Sequence, residues 1–233
     1  MKFKTELHTH TCPVSRCSTV TPEEMVEKYV EAGYTTLVLA NHINHETFDP
    51  RYKRYTGSED WQEKMDYYFA DVARAKRAAG DRLHVLLGCE LCPAGTHTDY
   101  LIFGANEDFF RANPDIRDCK IKEISARVKE VGALIYQAHP FRNNMMVTDP
   151  SLLFGVETWN AHPKHPSRND LAELWAQRYA LHRISGSDIH HAAHLPSGGI
   201  LTDTPITTVE ELLAVLRSDA YTLICEGTPG QDK

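Results

Sequence analysis

The sequence predicts an α/β protein in which parallel strands are covered by helices. Short β-type runs alternate with segments of helical apolar spacing along the chain, an order typical of β–α–β architecture. The 233 residues are enough to close a sizeable core. No linker rich in Ser, Gly or Pro divides the chain and no internal repeat is found, so we expect one domain over residues 1–233.

Eight short β-type runs are the predicted strands. They cover residues 2–10, 35–41, 83–90, 99–104, 133–139, 156–160, 183–188 and 221–225. The segments between them have the features of helices, and this alternation is the reason for expecting the strands to be parallel.

Local signals mark where the predicted helices begin. Thr21 is an N-cap residue, Pro22 occupies the first helical position, and Glu24 completes a capping box. Thr208 and Glu211 repeat the capping box before a Leu-rich segment. Apolar spacing and helix-forming residues predict further helices over residues 61–79, 121–131 and 171–181.

The overall composition is that of an ordinary folded protein, with 42% hydrophobic and 24% charged residues. The net charge of −7 lacks the basic character of a nucleic-acid binder, so we expect no binding along long nucleic acid. The N-terminus has no apolar signal region and no stretch reaches the roughly 18 apolar residues of a membrane span. We therefore expect a cytoplasmic protein without membrane association.

The unusual feature is the presence of 13 histidines, several of which end predicted strands. In this fold class functional groups gather at the carboxyl ends of the strands. The metal-ligand types at these ends are His8, His10, His42, Glu90, His139, Asp188 and His190. A lone histidine is more often an ordinary core residue, but this coincidence predicts a metal centre. Imidazoles with two carboxylates suit Zn, Mn or Fe, and seven ligands predict two or three divalent ions.

Several of these segments together resemble one known family. The matching segments are 6-ELHTHT-11, 39-LANH-42, 88-GCE-90, 137-QAHPFR-142, 156-VETWN-160 and 185-SGSDIH-190. Their order is similar to that of the PHP (polymerase and histidinol phosphatase) family, and residues 207–211 resemble its final helix. The resemblance implies a distorted (β/α)7 barrel, similar to a TIM barrel, with a trinuclear metal centre at the carboxyl ends of its strands. It also implies hydrolysis of phosphate esters.

The resemblance assigns the seven residues above to ligand positions and leaves three departures. The family's acidic residue after the HxH motif falls on Cys17, which is either a soft thiolate ligand or an inert loop cysteine. Asn41 replaces an Asp, which costs a supporting hydrogen bond rather than a ligand. Asp99 stands where the family has a histidine. His97 shares its strand face, so either could ligate, and position favours Asp99.

Other residues near these motifs have two interpretations each. Arg142 either clamps a phosphate through its bidentate fork or forms a surface ion pair. Of His191 and His194, one could donate a proton to the leaving oxygen, or both are solvated loop residues. Glu157 and Asn160 are candidates for orienting the ligands.

The segment 44–57 is a long insertion beside the predicted site, rich in aromatic and basic residues. These are Phe48, Arg51, Tyr52, Lys53, Arg54 and Tyr55. Long loops in compact domains are more often functional than not, which favours a substrate lid over a solvated loop. The aromatic residues of the next helix (61, 67–69) are expected in the core.

The predicted activity is that of a metal-dependent phosphoesterase, in which a metal-activated hydroxide attacks a small phosphorylated metabolite such as histidinol phosphate. A phosphodiesterase or exonuclease acting on short nucleotides is one alternative, and a non-catalytic metal-binding module is another. No GxSxG, P-loop or GxGxxG motif follows a strand, which argues against serine hydrolases, P-loop NTPases and Rossmann dehydrogenases. The oligomeric state is left open.

Overall fold

The computed structural model describes residues 2–52 and 54–227. Ten strands are found there: β1 Phe3–Glu6, β2 Thr36–Leu39, β3 His42–Ile43, β4 His84–Leu91, β5 Tyr100–Phe103, β6 Leu134–Gln137, β7 Gly155–Asn160, β8 His182–Gly186, β9 Ile200–Thr202 and β10 Thr222–Leu223. The six α-helices are α1 Pro22–Glu31, α2 Trp61–Ala79, α3 Glu107–Ala112, α4 Ile121–Glu130, α5 Asn169–Tyr179 and α6 Val209–Ser218. None of the described helices is both long and apolar enough to cross a membrane.

The strands form one sheet that curls into a nearly closed barrel. Its order is β10-β9-β1-β2-β4-β5-β6-β7-β8, with β3 paired to β4. Beyond the ends of β1 and β8 the two chain segments meet at a parallel bridge between Thr9 and Ile189. The amide of Asp188 donates to the carbonyl of His8 at 2.8 Å. The predicted α/β class and distorted barrel are therefore confirmed.

The prediction that the strands are all parallel is wrong. The strand β5, predicted at 99–104, runs antiparallel to both β4 and β6. Only residues 92–99 connect it to β4, too few for the helical crossover that a parallel neighbour needs. The final strands β9 and β10 also pair in antiparallel fashion. The strands β3 and β9 and the helix α3 were not predicted from the sequence.

The helix signals have the predicted geometry. The hydroxyl of Thr21 accepts from the amide of Glu24, whose carboxylate accepts in return from the Thr21 amide. Thr208 and Glu211 form the same reciprocal pair at α6. One face of α2 is buried, with Tyr68 in the core as expected.

Candidate metal centre

Seven side chains of metal-ligand type converge at the carboxyl end of the barrel. His8 and His10 lie in the extended chain after β1, and His42 and Glu90 face each other across β3 and β4. The remaining members follow β6 and β8. The cluster consists of His8, His10, His42, Glu90, His139, Asp188 and His190.

The nitrogen and oxygen atoms of these residues form three overlapping groups that could each hold a metal ion. The groups are His10 with His42 and His190, His8 with His10 and Asp188, and His8 with Glu90 and His139, and within each the ligand atoms lie within 4.8 Å of one another. The groups overlap at His8 and His10, and together they contain seven side chains, more than one tetrahedral ion uses. The geometry therefore suits more than one ion.

Glu90 is the central carboxylate of the cluster. Its Oε1 lies 3.3 Å from Nε2 of His8 and 3.1 Å from Nε2 of His139. Its Oε2 lies 3.0 Å from Nδ1 of His42 and 3.3 Å from Nε2 of His10. One carboxylate thus faces four imidazoles, which is the position of a ligand shared between adjacent ions.

The second carboxylate, Asp188, has one oxygen on the cluster and one on its supports. Its Oδ1 lies 3.3 Å from both His10 Nε2 and His190 Nδ1. Its Oδ2 accepts from Arg142 Nη2 at 2.7 Å and from Asn160 Nδ2 at 3.1 Å. These two donors orient the carboxylate without using the oxygen that faces the histidines.

Two residues of the cluster have a positive φ, which is unusual for residues other than glycine. His139 has a φ of 27° and Asp188 a φ of 51°. Such strain is characteristic of functional sites, where surrounding contacts hold the conformation. Here the amide of His139 donates to Oε2 of Glu157 at 2.9 Å.

Glu157 supports two members of the cluster at once. Besides the amide of His139, it contacts Nδ1 of His8 through Oε1 at 2.8 Å. Asn160 Nδ2 donates to the same Oε2 at 3.0 Å. With Nδ1 of His8 engaged in this way, its Nε2 is directed at the cluster, as a metal-binding histidine requires.

The residues of the cluster fit a metal centre because several buried ring nitrogens make no well-aligned hydrogen bond, even where a carboxylate oxygen is close. These atoms are His8 Nε2, both ring nitrogens of His10, His42 Nδ1 and His139 Nδ1. Buried polar atoms left unpaired are costly and rare, so their concentration in one place calls for a partner. Divalent ions would be such a partner.

The charge state of the two carboxylates also suits a metal centre. Burial opposes their ionisation, but the facing His8, and Arg142 at Asp188, hold the pKa of both carboxyl groups well below the usual range. Burial and repulsion from His42 keep the pKa of His10 well below its ordinary value. The site therefore combines ionised carboxylates with a neutral imidazole.

Cys17 lines a cavity of about 220 Å³ together with His42, Glu90 and His190 of the cluster. The residue as a whole is exposed to solvent. Burial of the sulfur raises the pKa of the thiol, but attraction to His42 and hydrogen bonding with His190 and His42 lower it to about 6. A thiolate facing two ligand-type histidines is chemically able to bind a metal.

Asp99 and His97 lie in different places. Asp99 lines the cavity together with the cluster. Burial and repulsion from Glu90 raise the pKa of Asp99 to about 6. His97 is exposed and lines a separate cavity with His45 and Arg117.

Asn41, where the family often has Asp, is fully engaged. Its Oδ1 accepts from the amide of Thr11 at 2.7 Å and from Ser15 Oγ at 2.9 Å, and Ser15 Oγ accepts from the amide of His42. The substitution therefore leaves His42 supported through Ser15.

Arg142 and His191 both line the cavity. The Arg142 side chain is only 14% exposed, so its interpretation as a surface ion pair does not hold. Nδ1 of the partly exposed His191 lies 3.1 Å from Thr19 Oγ1, whereas His194 is buried and accepts from the amide of His190.

Three further lining residues, His162, Lys164 and His165, were not predicted. They follow β7, and inspection of the carboxyl end of that strand beyond Asn160 would have found them. Burial lowers the pKa of His162 to about 3, so this imidazole is neutral.

The segment 44–57 is anchored by its aromatic residues. Phe48 and Tyr55 pack against each other, and both contact Tyr67 of α2. Tyr52 stacks on Arg16, 4.1 Å from its guanidinium carbon and next to Cys17. Lys53 lies outside the described residues. The two anchored aromatics are therefore part of the packing, and the lid interpretation stays a prediction.

The chain belongs to the PHP family, because the model of the PHP domain matches residues 6–221. No curated protein matches it. One similar solved structure is a two-domain protein of Bacteroides vulgatus that contains a predicted PHP-like metal-dependent phosphoesterase. It is 15% identical to this chain, with a TM-score of 0.69 over 96% of this chain and 64% of that one. The present chain thus spans just under two thirds of that protein.

A second similar structure is a putative metal-dependent phosphoesterase of Bifidobacterium adolescentis. It is 17% identical, with a TM-score of 0.54 over 92% of this chain and 96% of that one. At these identities the likeness establishes the fold, and the family assignment rests on the PHP domain match.

A third similar structure overturns the expectation drawn from net charge. It is endonuclease Q in complex with a 27-mer duplex substrate, 15% identical, with a TM-score of 0.63 over 94% of this chain and 57% of that one. The prediction that excluded long nucleic acid is therefore wrong. A charge of −7 summed over the whole chain does not describe the surface around one cavity.

Proposed function

We propose that this chain is a metal-dependent phosphoesterase with two or three divalent ions, Zn, Mn or Fe. The seven clustered residues would hold the ions, with Cys17 and Asp99 as additional ligands. The observation that carries the proposal is the set of three overlapping ligand groups containing five unpaired buried ring nitrogens. Metal ions bound there supply Lewis acidity and lower the pKa of water.

The chain's own side chains would bind and orient the phosphoryl group. Arg142 places a cation beside the cavity, and its Nε is buried without a hydrogen-bond partner, so it can donate to a phosphate oxygen. Lys164 adds a second cation at the cavity wall. We propose His191, on the same wall, as the proton donor to the leaving oxygen.

The size of the cavity supports a small phosphorylated metabolite as substrate, since about 220 Å³ is below the roughly 300–1,000 Å³ of sites for drug-sized ligands. Histidinol phosphate is one candidate. The fold shared with endonuclease Q supports a second candidate, a phosphodiester within nucleic acid, in which only the scissile phosphate would enter the cavity.

The test is phosphate-ester hydrolysis by protein loaded with manganese or zinc. We expect turnover of 4-nitrophenyl phosphate or of bis(4-nitrophenyl) phosphate, and the preferred ester separates the two candidates. His10→Ala should lose metal and activity together. His84→Ala changes an exposed histidine at the start of β4, the opposite end of the barrel, and should retain both. A fully metallated protein that hydrolyses neither ester would instead be a non-catalytic metal-binding module.

A further inference from the structure

His162 is a buried imidazole of the cavity wall that belongs to none of the sequence motifs. It lies on the loop after β7, is 4% exposed, and lines the same cavity as five of the seven clustered residues, among them Asp188 and His190. Its neighbours Lys164 and His165 are exposed, whereas His8 and Asp188 are buried. His162 is therefore a buried part of the cavity wall, next to the exposed residues Lys164 and His165 of the same wall.

The backbone and ring of His162 are held in place relative to the cluster. Its amide donates to Oδ1 of Asn160 at 3.1 Å, and Asn160 in turn donates to Asp188. Its ring centroid lies 5.2 Å from that of His190 and 5.0 Å from that of His194. Movement of this ring is restricted by contacts on more than one side.

The hydrogen bond at Nδ1 determines which tautomer is present. The backbone amide of Lys164 donates to Nδ1 of His162 at 3.2 Å, so Nδ1 carries a lone pair. A neutral imidazole with an accepting Nδ1 carries its proton on Nε2. Within residues 2–52 and 54–227 no protein group accepts from that Nε2, which leaves this donor available to a bound molecule.

We propose that His162 is a catalytic residue that donates a hydrogen bond from Nε2 to the departing ester oxygen. The proposal rests on the proposed function. In phosphoryl transfer the attacking and leaving oxygens are roughly in line with phosphorus. If attack comes from the side of the cluster, the leaving oxygen points away from it, and we assign it to the segment of the wall that His162 shares with Lys164 and His165.

The role of His162 is hydrogen bonding rather than proton transfer. The water oxygen forms a bond to phosphorus as the bond from phosphorus to the ester oxygen breaks, and the electron pair of the broken bond stays on the leaving oxygen. The proton lost by water passes to solvent, and His191 gives its proton to the leaving oxygen and regains one from solvent. His162 keeps its own proton and stabilises the negative charge that develops there.

Two matched variants test the hydrogen bond. His162→Gln places an amide nitrogen near the position of Nε2, whereas His162→Asn keeps an acceptor for the Lys164 amide but has no donor there. With an alkyl phosphate, whose leaving oxygen needs stabilisation, kcat/KM of the Asn variant should fall by about 100-fold or more. With 4-nitrophenyl phosphate the loss should be below about 10-fold, and Gln should restore most of the activity on the alkyl ester.

Equal losses on the two esters, or a Gln variant as weak as the Asn variant, would overturn the role of His162. Metal content equal to wild type verifies that the site is intact. Nitrogen NMR of the zinc-loaded protein checks the tautomer without turnover, and a proton on Nδ1 of His162 would also overturn it. If the wild type hydrolyses no ester while the tautomer is as expected, the proposed function fails, and the catalytic role fails with it.

Discussion

At the scale of single residues, the site depends on carboxylates whose two oxygens have different partners. Asp188 presents Oδ1 to His10 and His190, while Arg142 and Asn160 hold Oδ2. Because a ligand must be oriented as well as charged, the partners that contact no metal are as necessary as the ligands. Replacing either donor would free the carboxylate to rotate away from the histidines.

Strand periodicity and strand ends were sufficient to predict which ligand-type residues meet. His8 and His10 are two residues apart, and both are fully buried in the cluster. The same reasoning did not reach His162, because it lies on a loop two residues beyond β7 and its position depends on a hydrogen bond to Asn160. Contacts of this kind depend on the folded loop and have no sequence periodicity.

We predict that Cys17 reacts as a low-pKa thiol in metal-free protein. Its pKa of about 6, against about 11 for the exposed Cys225, means that its thiolate forms at much lower pH. Alkylation by iodoacetamide, followed by mass spectrometry of the two peptides, should show a midpoint near pH 6 for Cys17 only.

Zinc should then protect Cys17 from alkylation and leave Cys225 unaffected. Cys17 and Cys225 titrating together, or Cys17 remaining equally reactive with zinc bound, would identify Cys17 as an ordinary loop cysteine rather than a ligand.

At the scale of elements, Glu6 joins the first and last parallel strands of the barrel. Its Oε1 accepts from the amides of Leu7, His8 and Ser187, and its Oε2 accepts from the hydroxyls of Ser187 and Tyr29. A buried carboxylate is tolerable when donors surround it in this way. The contacts hold the segment bearing His8 against the segment that precedes Asp188.

Helix starts could be predicted because a capping box is a local signal, as at Thr21 and Thr208. The direction of β5 is set by non-local pairing with two neighbours, and alternation alone gives no information on it. The two-residue strand β3 and the three-residue β9 are too short to have a periodicity that identifies them.

We predict that Asp71 of α2 makes the stability of the protein depend on pH. Burial raises the pKa of this carboxyl to about 6, and the Thr11 hydroxyl only partly offsets it. A carboxyl whose pKa is higher in the folded than in the unfolded state destabilises the fold as pH rises through the folded value. Asp71→Asn keeps an acceptor for Thr11 and removes the charge.

Urea unfolding of wild type and Asp71→Asn at about pH 5 and about pH 7.5 measures the effect. Relative to wild type, the free energy of unfolding of the variant should be about 1 kcal/mol higher at about pH 7.5 than at about pH 5. A difference that is constant with pH, or that moves in favour of the wild type, would contradict the raised pKa of Asp71.

At the scale of the whole molecule, the PHP family and the barrel architecture predicted from the sequence agree with the structure. The barrel places every clustered residue at one end, which is why strand ends were an effective guide. Net charge was a poor guide, since its sum includes many surface groups far from the cavity. The single domain over 1–233 and the cytoplasmic location stay predictions.

We predict that metal ions stabilise the entire fold, because the ligands come from segments far apart in the sequence. Zinc at about 100 times its dissociation constant should add about 2.7 kcal/mol per bound ion to the free energy of unfolding of metal-free protein. Thermal unfolding with and without zinc measures this. Asp188→Asn should lose most of the gain, and an undiminished gain in that variant would place the bound metal elsewhere.

The central claim is that the barrel end holds a multinuclear metal centre, and the most direct test is an elemental metal count. Protein purified without chelators and offered zinc, manganese and iron should retain two or three ions per chain. His10→Ala should retain fewer, and His84→Ala should match the wild type. A wild-type protein that retains no more than about one ion per chain, or an unchanged count in His10→Ala, would contradict the account.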